Sequence, residues 1–177
     1  APTPTPMPLR LCKIALVASV AFFLGLVVLN NTLFDYPSNY AFVHHVLAMD
    51  SLFSGESQAW RALRDPTPDD GSWWLYHVAY ASIIVWEAVA GLLCAAGAWR
   101  LWRGRFAPAA AFQQAKTLAA VGLVVSMLQW FLGFITVGGE WFLMWQSPDW
   151  NGQDAAFRMF ACLGIILVFL LQPDEAV

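Results

Sequence analysis

Four long apolar stretches constrain the fold of this 177-residue chain more than any other feature of its sequence. An α-helix needs roughly 20 mostly apolar residues to cross the hydrocarbon core of a bilayer. The stretches long enough to do so are residues 11–30, 73–99, 117–137 and 155–172. Composition agrees, since 59% of the residues are hydrophobic and only 12% are charged. We therefore predict an all-α membrane protein, a single membrane domain over residues 1–177 with four transmembrane helices.

The lysines and arginines predict the orientation of the spans, because cytoplasmic loops are enriched in them. Six of the nine lie near the start of the first span or between the second and third, namely Arg10, Lys13, Arg100, Arg103, Arg105 and Lys116. The other three, Arg61, Arg64 and Arg158, lie among acidic residues on the opposite side. The sequence therefore predicts that both termini are cytoplasmic and that the segments 31–72 and 138–154 lie outside.

The first outer segment has the spacing of a short amphipathic helix. Apolar residues recur at helical spacing within residues 39–54, which predicts a helix lying in the outer membrane interface and ended by Gly55. The residues of this apolar stripe are Phe42, Val43, Val46, Leu47, Met49 and Phe53. On such a helix His44 falls on the polar, solvent-exposed side, while His45 borders the stripe.

The histidines are candidates for a site on the outer face. His44 and His45 point apart on a helix, so the adjacent pair is not a metal motif by itself. His45 could instead approach His77, near the outer end of the second span, and two such ligands could hold haem or copper. The preferred alternative is a buried polar contact at the interface, and we predict no cofactor. Asp50 and Glu140 are further candidates on this face.

The second outer segment is followed by an acidic and a basic residue one helical turn apart. Asp154 and Arg158 are spaced i,i+4 at the start of the fourth span, where an acidic residue also suits the helix dipole. This spacing predicts a structural ion pair. An anion site that uses Arg158 is the alternative.

Glu87 is the main candidate within the membrane. It lies about 21 Å along the helix axis from Trp73, near the middle of the second span. A charged carboxylate there is unfavourable by roughly 2.5–3.5 kcal/mol. We therefore expect Glu87 to be neutral and to donate a hydrogen bond to Ser126 or Ser19.

Small side chains predict how the second and third spans pack. The face of the second span that carries Glu87 also presents Tyr76, Tyr80, Gly91, Cys94 and Ala98. The third span offers a face made of Gly122, Ser126, Gln129 and Gly133. Because small residues let helices approach closely, we expect these two faces to pack together.

The motifs "DYPSNYAFVHHVLAMD", "GGEWFLMWQS" and "WNGQDAAFR" resemble those of a bacterial family of predicted small integral membrane proteins of unknown function. The similarity runs from about residue 11 to residue 172. It implies four spans in a bacterial inner membrane. It supplies no activity, substrate or catalytic residue, so the candidate residues rest on position and chemistry alone.

Two classes of function fit these features best. The preferred class is an accessory or structural subunit whose aromatic outer surface docks other membrane proteins or lipids. The alternative is a small proton or ion conduit, or a ligand-binding protein, that uses Glu87 or the pair His45 and His77. An enzyme is disfavoured, because the sequence has no nucleophile–base constellation or phosphate loop. We expect the lipid bilayer and other membrane subunits as partners, and no nucleic acid.

Overall fold

The computed structural model describes residues 7–66 and 73–174. These residues form helices and loops, with no β-strand among them. The α-helices are α1 (Met7–Leu29), α2 (Tyr36–Ala48), α3 (Trp74–Arg103), α4 (Ala109–Leu128) and α5 (Gln153–Leu171). Short 3₁₀ helices cover Gly55–Arg61 and Met144–Gln146. The predicted all-α fold is confirmed.

Two of the long helices continue as π-helices. The stretch Asn30–Phe34 extends α1, and the stretch Gln129–Trp141 extends α4. The second stretch closes with a hydrogen bond from the Phe142 N–H to the Val137 carbonyl, at 3.0 Å and five residues back. π-Helical turns are rare and often occur at functional sites.

The four predicted spans are confirmed, with different bounds. Within the described residues, the helices long and apolar enough to cross a membrane are Met7–Phe34, Trp74–Arg103, Ala109–Trp141 and Gln153–Leu171. The third span does not end before Gly138 as predicted, because π-helical winding carries the backbone past both neighbouring glycines. The first span begins early enough that Arg10 and Lys13 lie inside the helix.

The predicted short helix between the first two spans is present as α2, with shifted ends. It begins at Tyr36 with Pro37 in its first turn, where the missing N–H of proline costs no hydrogen bond. It ends at Ala48, and Met49 follows in the left-handed conformation with φ 52°. Gly55 therefore does not end this helix. It starts the next 3₁₀ helix instead.

The early end of α2 also changes which apolar side chains are buried. Val43 and Met49 are buried, but Phe53 is 72% exposed. The prediction that Phe53 belongs to the buried stripe is wrong, because helical spacing no longer applies beyond Ala48. The segment between the first two spans and the segment between the last two instead meet through the cluster of Met49, Ala59, Phe142 and Leu143.

Contacts within the chain divide it into two compact units. Unit 1 consists of Ala1–Val27, Glu87–Met127 and Ala161–Val177. Unit 2 consists of Val28–Trp86 and Leu128–Phe160. Residues 1–6, 67–72 and 175–177 fall outside the described part of the chain.

Small residues bring the helices of unit 1 together. A Cβ atom added to Gly122 on α4 would lie 2.8 Å from the backbone nitrogen of Cys94 on α3. The predicted packing of the small-residue faces is therefore confirmed at this pair. Gly91 faces a different helix, since its Cβ would lie 3.2 Å from Cβ of Leu24 on α1.

Backbone hydrogen bonds join the two segments that connect the spans within unit 2. The Leu63 N–H donates to the Leu47 carbonyl at 2.9 Å, so the chain after the first 3₁₀ helix lies against α2. The Phe53 N–H donates to the Gln146 carbonyl at 3.2 Å. These two connecting segments therefore form one folded layer that can position a site.

Candidate functional site

Unit 2 contains a partly open cavity of about 310 Å³. Phe42 and Val46 of α2 form one wall, and Ile83 and Trp86 of α3 form another. The third wall is the π-helical stretch Gln129–Trp141, continued by residues up to Met144. The cavity is thus built by three helical elements that are separated in sequence.

Glycine residues leave space on the π-helical wall. A Cβ atom added to Gly133 would meet no atom within 4 Å. At Gly138 the nearest atoms include the Met144 side chain, at 3.6 Å. Because both glycines line the cavity, the absence of side chains there contributes directly to its volume.

The lining of this cavity is almost wholly apolar. Its polar side chains are Gln129 and Ser82. The Ser82 hydroxyl already donates to the Ala79 carbonyl at 2.7 Å. Gln129 was predicted to face the second span within the membrane, and the structure places it buried in this wall. The cavity therefore suits an apolar ligand that makes few polar contacts.

Tyrosines and His77 form an aromatic network between α2 and α3. The Tyr36 hydroxyl lies 3.0 Å from Nδ1 of His77. The His77 ring stacks on Tyr40 with ring centroids 4.5 Å apart. Tyr80, predicted as an intramembrane candidate, is buried and donates its hydroxyl to the Asn31 carbonyl at 3.0 Å.

The two adjacent histidines contact different partners. His45 Nδ1 lies 2.8 Å from Oδ2 of Asp50, and its ring stacks on Trp150. His44 packs edge-on against Tyr76, with ring centroids 4.6 Å apart. Burial lowers the pKa of His44, and the neighbouring His45 lowers it further. The predicted solvent-exposed position of His44 is wrong, because α2 lies against α3 on that side.

The structure gives no contact that joins His45 to His77. The described residues contain no group of three or more His, Cys, Asp or Glu side chains placed to hold a metal ion. A haem or copper site at this pair remains a sequence-based hypothesis.

Asp154 and Arg158 are both exposed and form no ion pair. Ion pairs among the described residues include Lys13–Asp174, Lys116–Asp174 and His45–Asp50, and neither Asp154 nor Arg158 takes part in one. The prediction from i,i+4 spacing is therefore wrong, since an exposed pair gains little energy to hold two side chains in place. Glu140 is also exposed, and its backbone carbonyl accepts a hydrogen bond from Arg61 Nη1 at 3.3 Å.

Glu87 lies in unit 1 and is only 2% exposed. Ser126 is fully buried, and its hydroxyl has no hydrogen-bond partner within the described chain. Ser19 is exposed and donates to the Leu16 carbonyl at 2.8 Å. The predicted hydrogen bonds from Glu87 to these serines are therefore wrong. Similar depth along two helices does not make two side chains face each other.

The buried charges of unit 1 were not predicted from the sequence. Lys13 and Lys116 both contact the carboxylate of Asp174, and all three side chains are at most 3% exposed. The Gln172 carbonyl accepts a hydrogen bond from each lysine, at 2.8 and 2.7 Å. The sequence does contain a signal for this contact, because isolated lysines inside apolar helices require a partner. Asp174 is the first acidic residue after the last span.

Four apolar helices of spanning length and a buried set of paired charges define an integral membrane protein. The chain belongs to the family described as "Predicted small integral membrane protein (DUF2165)", whose model matches residues 9–173. The family resemblance drawn from the outer motifs is confirmed. No curated protein and no solved structure matches the chain.

Proposed function

We propose that this protein binds the apolar chain of a lipid or lipid-like molecule in the cavity of unit 2. The proposal rests on the apolar cavity of about 310 Å³ between α2, α3 and the second π-helical stretch. Small-molecule sites typically occupy roughly 300–1,000 Å³ and have mostly apolar walls. A volume at the low end of this range suits one hydrocarbon chain better than a whole phospholipid.

The position of the cavity also supports a ligand that arrives from the bilayer. Leu132 and Val137 line it and are 45% and 42% exposed, so its rim reaches the surface of a membrane-spanning helix. A hydrocarbon chain that leaves the bilayer gains no hydrophobic free energy, because lipid tails are as apolar as the cavity wall. Affinity must therefore come from close packing against the walls, which makes the shape of the cavity decisive.

Filling the cavity tests this function. Gly133→Leu adds a bulky side chain at a glycine that lines the cavity, and the position of its Cβ meets no atom within 4 Å. Gly25→Leu is the matched control, because its Cβ also meets nothing within 4 Å and it lies on α1 in unit 1. Native mass spectrometry of the purified full chain would report bound lipid.

We expect adducts of a supplied fatty acid on the wild type and on Gly25→Leu, and their loss from Gly133→Leu with unchanged folding. Equal adducts on all three proteins would contradict the proposal, as would a wild type that carries none when supplied with fatty acid.

A second candidate is the accessory role that the sequence favours, in which the outer surface docks another membrane subunit. Trp60 and Trp141 are 72% and 51% exposed and pack edge-on, and the Arg61 guanidinium lies over both rings. Tryptophan and arginine are enriched at the energetic centres of protein interfaces. A stoichiometric partner that is lost on Trp60→Ala and Trp141→Ala, but kept on Trp74→Ala, would favour this candidate over ligand binding.

We also propose an inner-membrane topology with both termini in the cytoplasm. The support is the distribution of basic residues, since residues 88–139 contain no Asp or Glu but include Arg100, Arg103 and Arg105. Gly104→Cys and Asn151→Cys, each in a variant lacking the three native cysteines, can be treated with an impermeant maleimide. In intact cells we expect labelling at Asn151→Cys alone. Labelling at Gly104→Cys alone would show the opposite topology.

A further inference from the structure

The end of α3 and the start of α4, both in unit 1, line a groove that contains two arginines. Arg100 and Arg103 contribute from α3, and Gln114 contributes from α4. Trp99 forms part of the same wall. All four side chains are exposed, so a ligand can reach the groove without displacing any part of the core.

The groove carries positive charge that no ion pair among residues 7–66 and 73–174 offsets. Within the described residues, Arg100 and Arg103 take part in no ion pair. Arg103 instead lies over the Trp99 ring, 5.9 Å from its centroid. Along the chain, the nearest acidic residues are Glu87 and Glu140, so neither helix brings a carboxylate close to the groove.

We propose that this groove binds the phosphate group of an anionic phospholipid. Guanidinium groups donate hydrogen bonds in a planar fork that matches the oxygens of a phosphate. Basic pockets between transmembrane helices are known to bind anionic headgroups. The site is separate from the cavity of unit 2, and it recognises a charged headgroup rather than a hydrocarbon chain.

The neighbouring aromatic residues favour a lipid over a soluble phosphate compound. Trp102 and Phe106 are 43% and 70% exposed, and the Arg105 guanidinium lies 4.0 and 4.5 Å from their ring centroids. Exposed aromatic side chains at the end of a span are typical of the headgroup region. A phosphate bound between Arg100 and Arg103 would therefore lie at the depth where lipid phosphates lie.

The test compares lipid affinities of the purified full chain in detergent. Phosphatidylglycerol and phosphatidylcholine with identical acyl chains are titrated and read by native mass spectrometry. We expect tighter binding of phosphatidylglycerol to the wild type. In Arg100→Gln/Arg103→Gln the affinity for it should fall roughly 30-fold, the effect expected for two basic residues near an anionic headgroup.

The matched control is Arg64→Gln/Arg158→Gln, which removes two exposed arginines outside the groove and changes the net charge equally. This control should keep the preference for phosphatidylglycerol. The proposal is overturned if the wild type has no such preference or if both double variants lose it equally. Displacement of the lipid by inorganic phosphate at about 10 mM would also overturn it, in favour of a soluble ligand.

Discussion

Lys13 Nζ lies 3.1 Å from both carboxylate oxygens of Asp174, a residue 161 positions further along the chain. Lys116 contacts the same carboxylate. Asp174 therefore joins α1 and α4 to the segment that follows α5, all within unit 1. Because the three side chains are buried, both ammonium groups depend on this one carboxylate for charge compensation.

Removal of this carboxylate should destabilise the protein strongly. Asp174→Asn leaves two buried ammonium groups without an anion, so we expect a loss of about 3–5 kcal/mol in the free energy of unfolding. Circular dichroism during unfolding in detergent measures the change. Asp154→Asn is the control, because that carboxylate is exposed and unpaired, and it should have little effect. Similar stability of the two variants would contradict a structural role for Asp174.

Glycine substitutions should separate close helix packing from helix propensity. Gly122→Ala forces a Cβ atom against the Cys94 backbone, and overpacking of this kind typically costs about 1–3 kcal/mol. Gly25→Ala meets no atom and should stabilise α1 by up to about 1 kcal/mol. The two variants should therefore move the melting temperature in opposite directions. Shifts of the same sign would argue against the α3–α4 contact.

His44 should make the protein less stable in mild acid. Burial and the neighbouring His45 lower the pKa of His44 in the folded state, although Asp50 and Asp65 oppose them. The unfolded chain therefore binds more protons than the folded chain as the pH falls through the ordinary histidine pKa of 6.5, and stability decreases.

His44→Gln removes this titration. Its free energy of unfolding should change less than that of the wild type between about pH 7.5 and about pH 5.5. The comparison at each pH uses the same detergent and salt. An identical change in the two proteins would show that His44 is accessible in the folded state.

Glu87 should remain neutral and structural. It is 2% exposed in the middle of a span, where the charged form is penalised. We expect an infrared band of a protonated carboxyl group that is absent from Glu87→Gln and constant between about pH 6 and pH 8. A band that titrates in this window would instead support the proton-conduit function.

The long elements of this fold were predictable, because length and composition alone identify a membrane span. The candidate site was less predictable from the sequence, since it depends on π-helical winding and on contacts between residues that are distant in the sequence. The sequence predicted that the third span ends at residue 137, whereas the π-helix continues through Gly138 and contributes to a cavity wall with Gly133. The i,i+4 spacing of Asp154 and Arg158 predicted an ion pair that does not form. No local sequence pattern links Lys13 to Asp174.

Photo-crosslinking with a diazirine-bearing fatty acid would show whether the cavity of unit 2 holds a hydrocarbon chain, as we propose. Mass spectrometry of the labelled protein should find the adduct on cavity residues such as Phe42, Trp86 and Leu132. Gly133→Leu should abolish this labelling, and Gly25→Leu should retain it. Adducts confined to other lipid-exposed side chains, or cavity labelling that Gly133→Leu leaves unchanged, would contradict the claim.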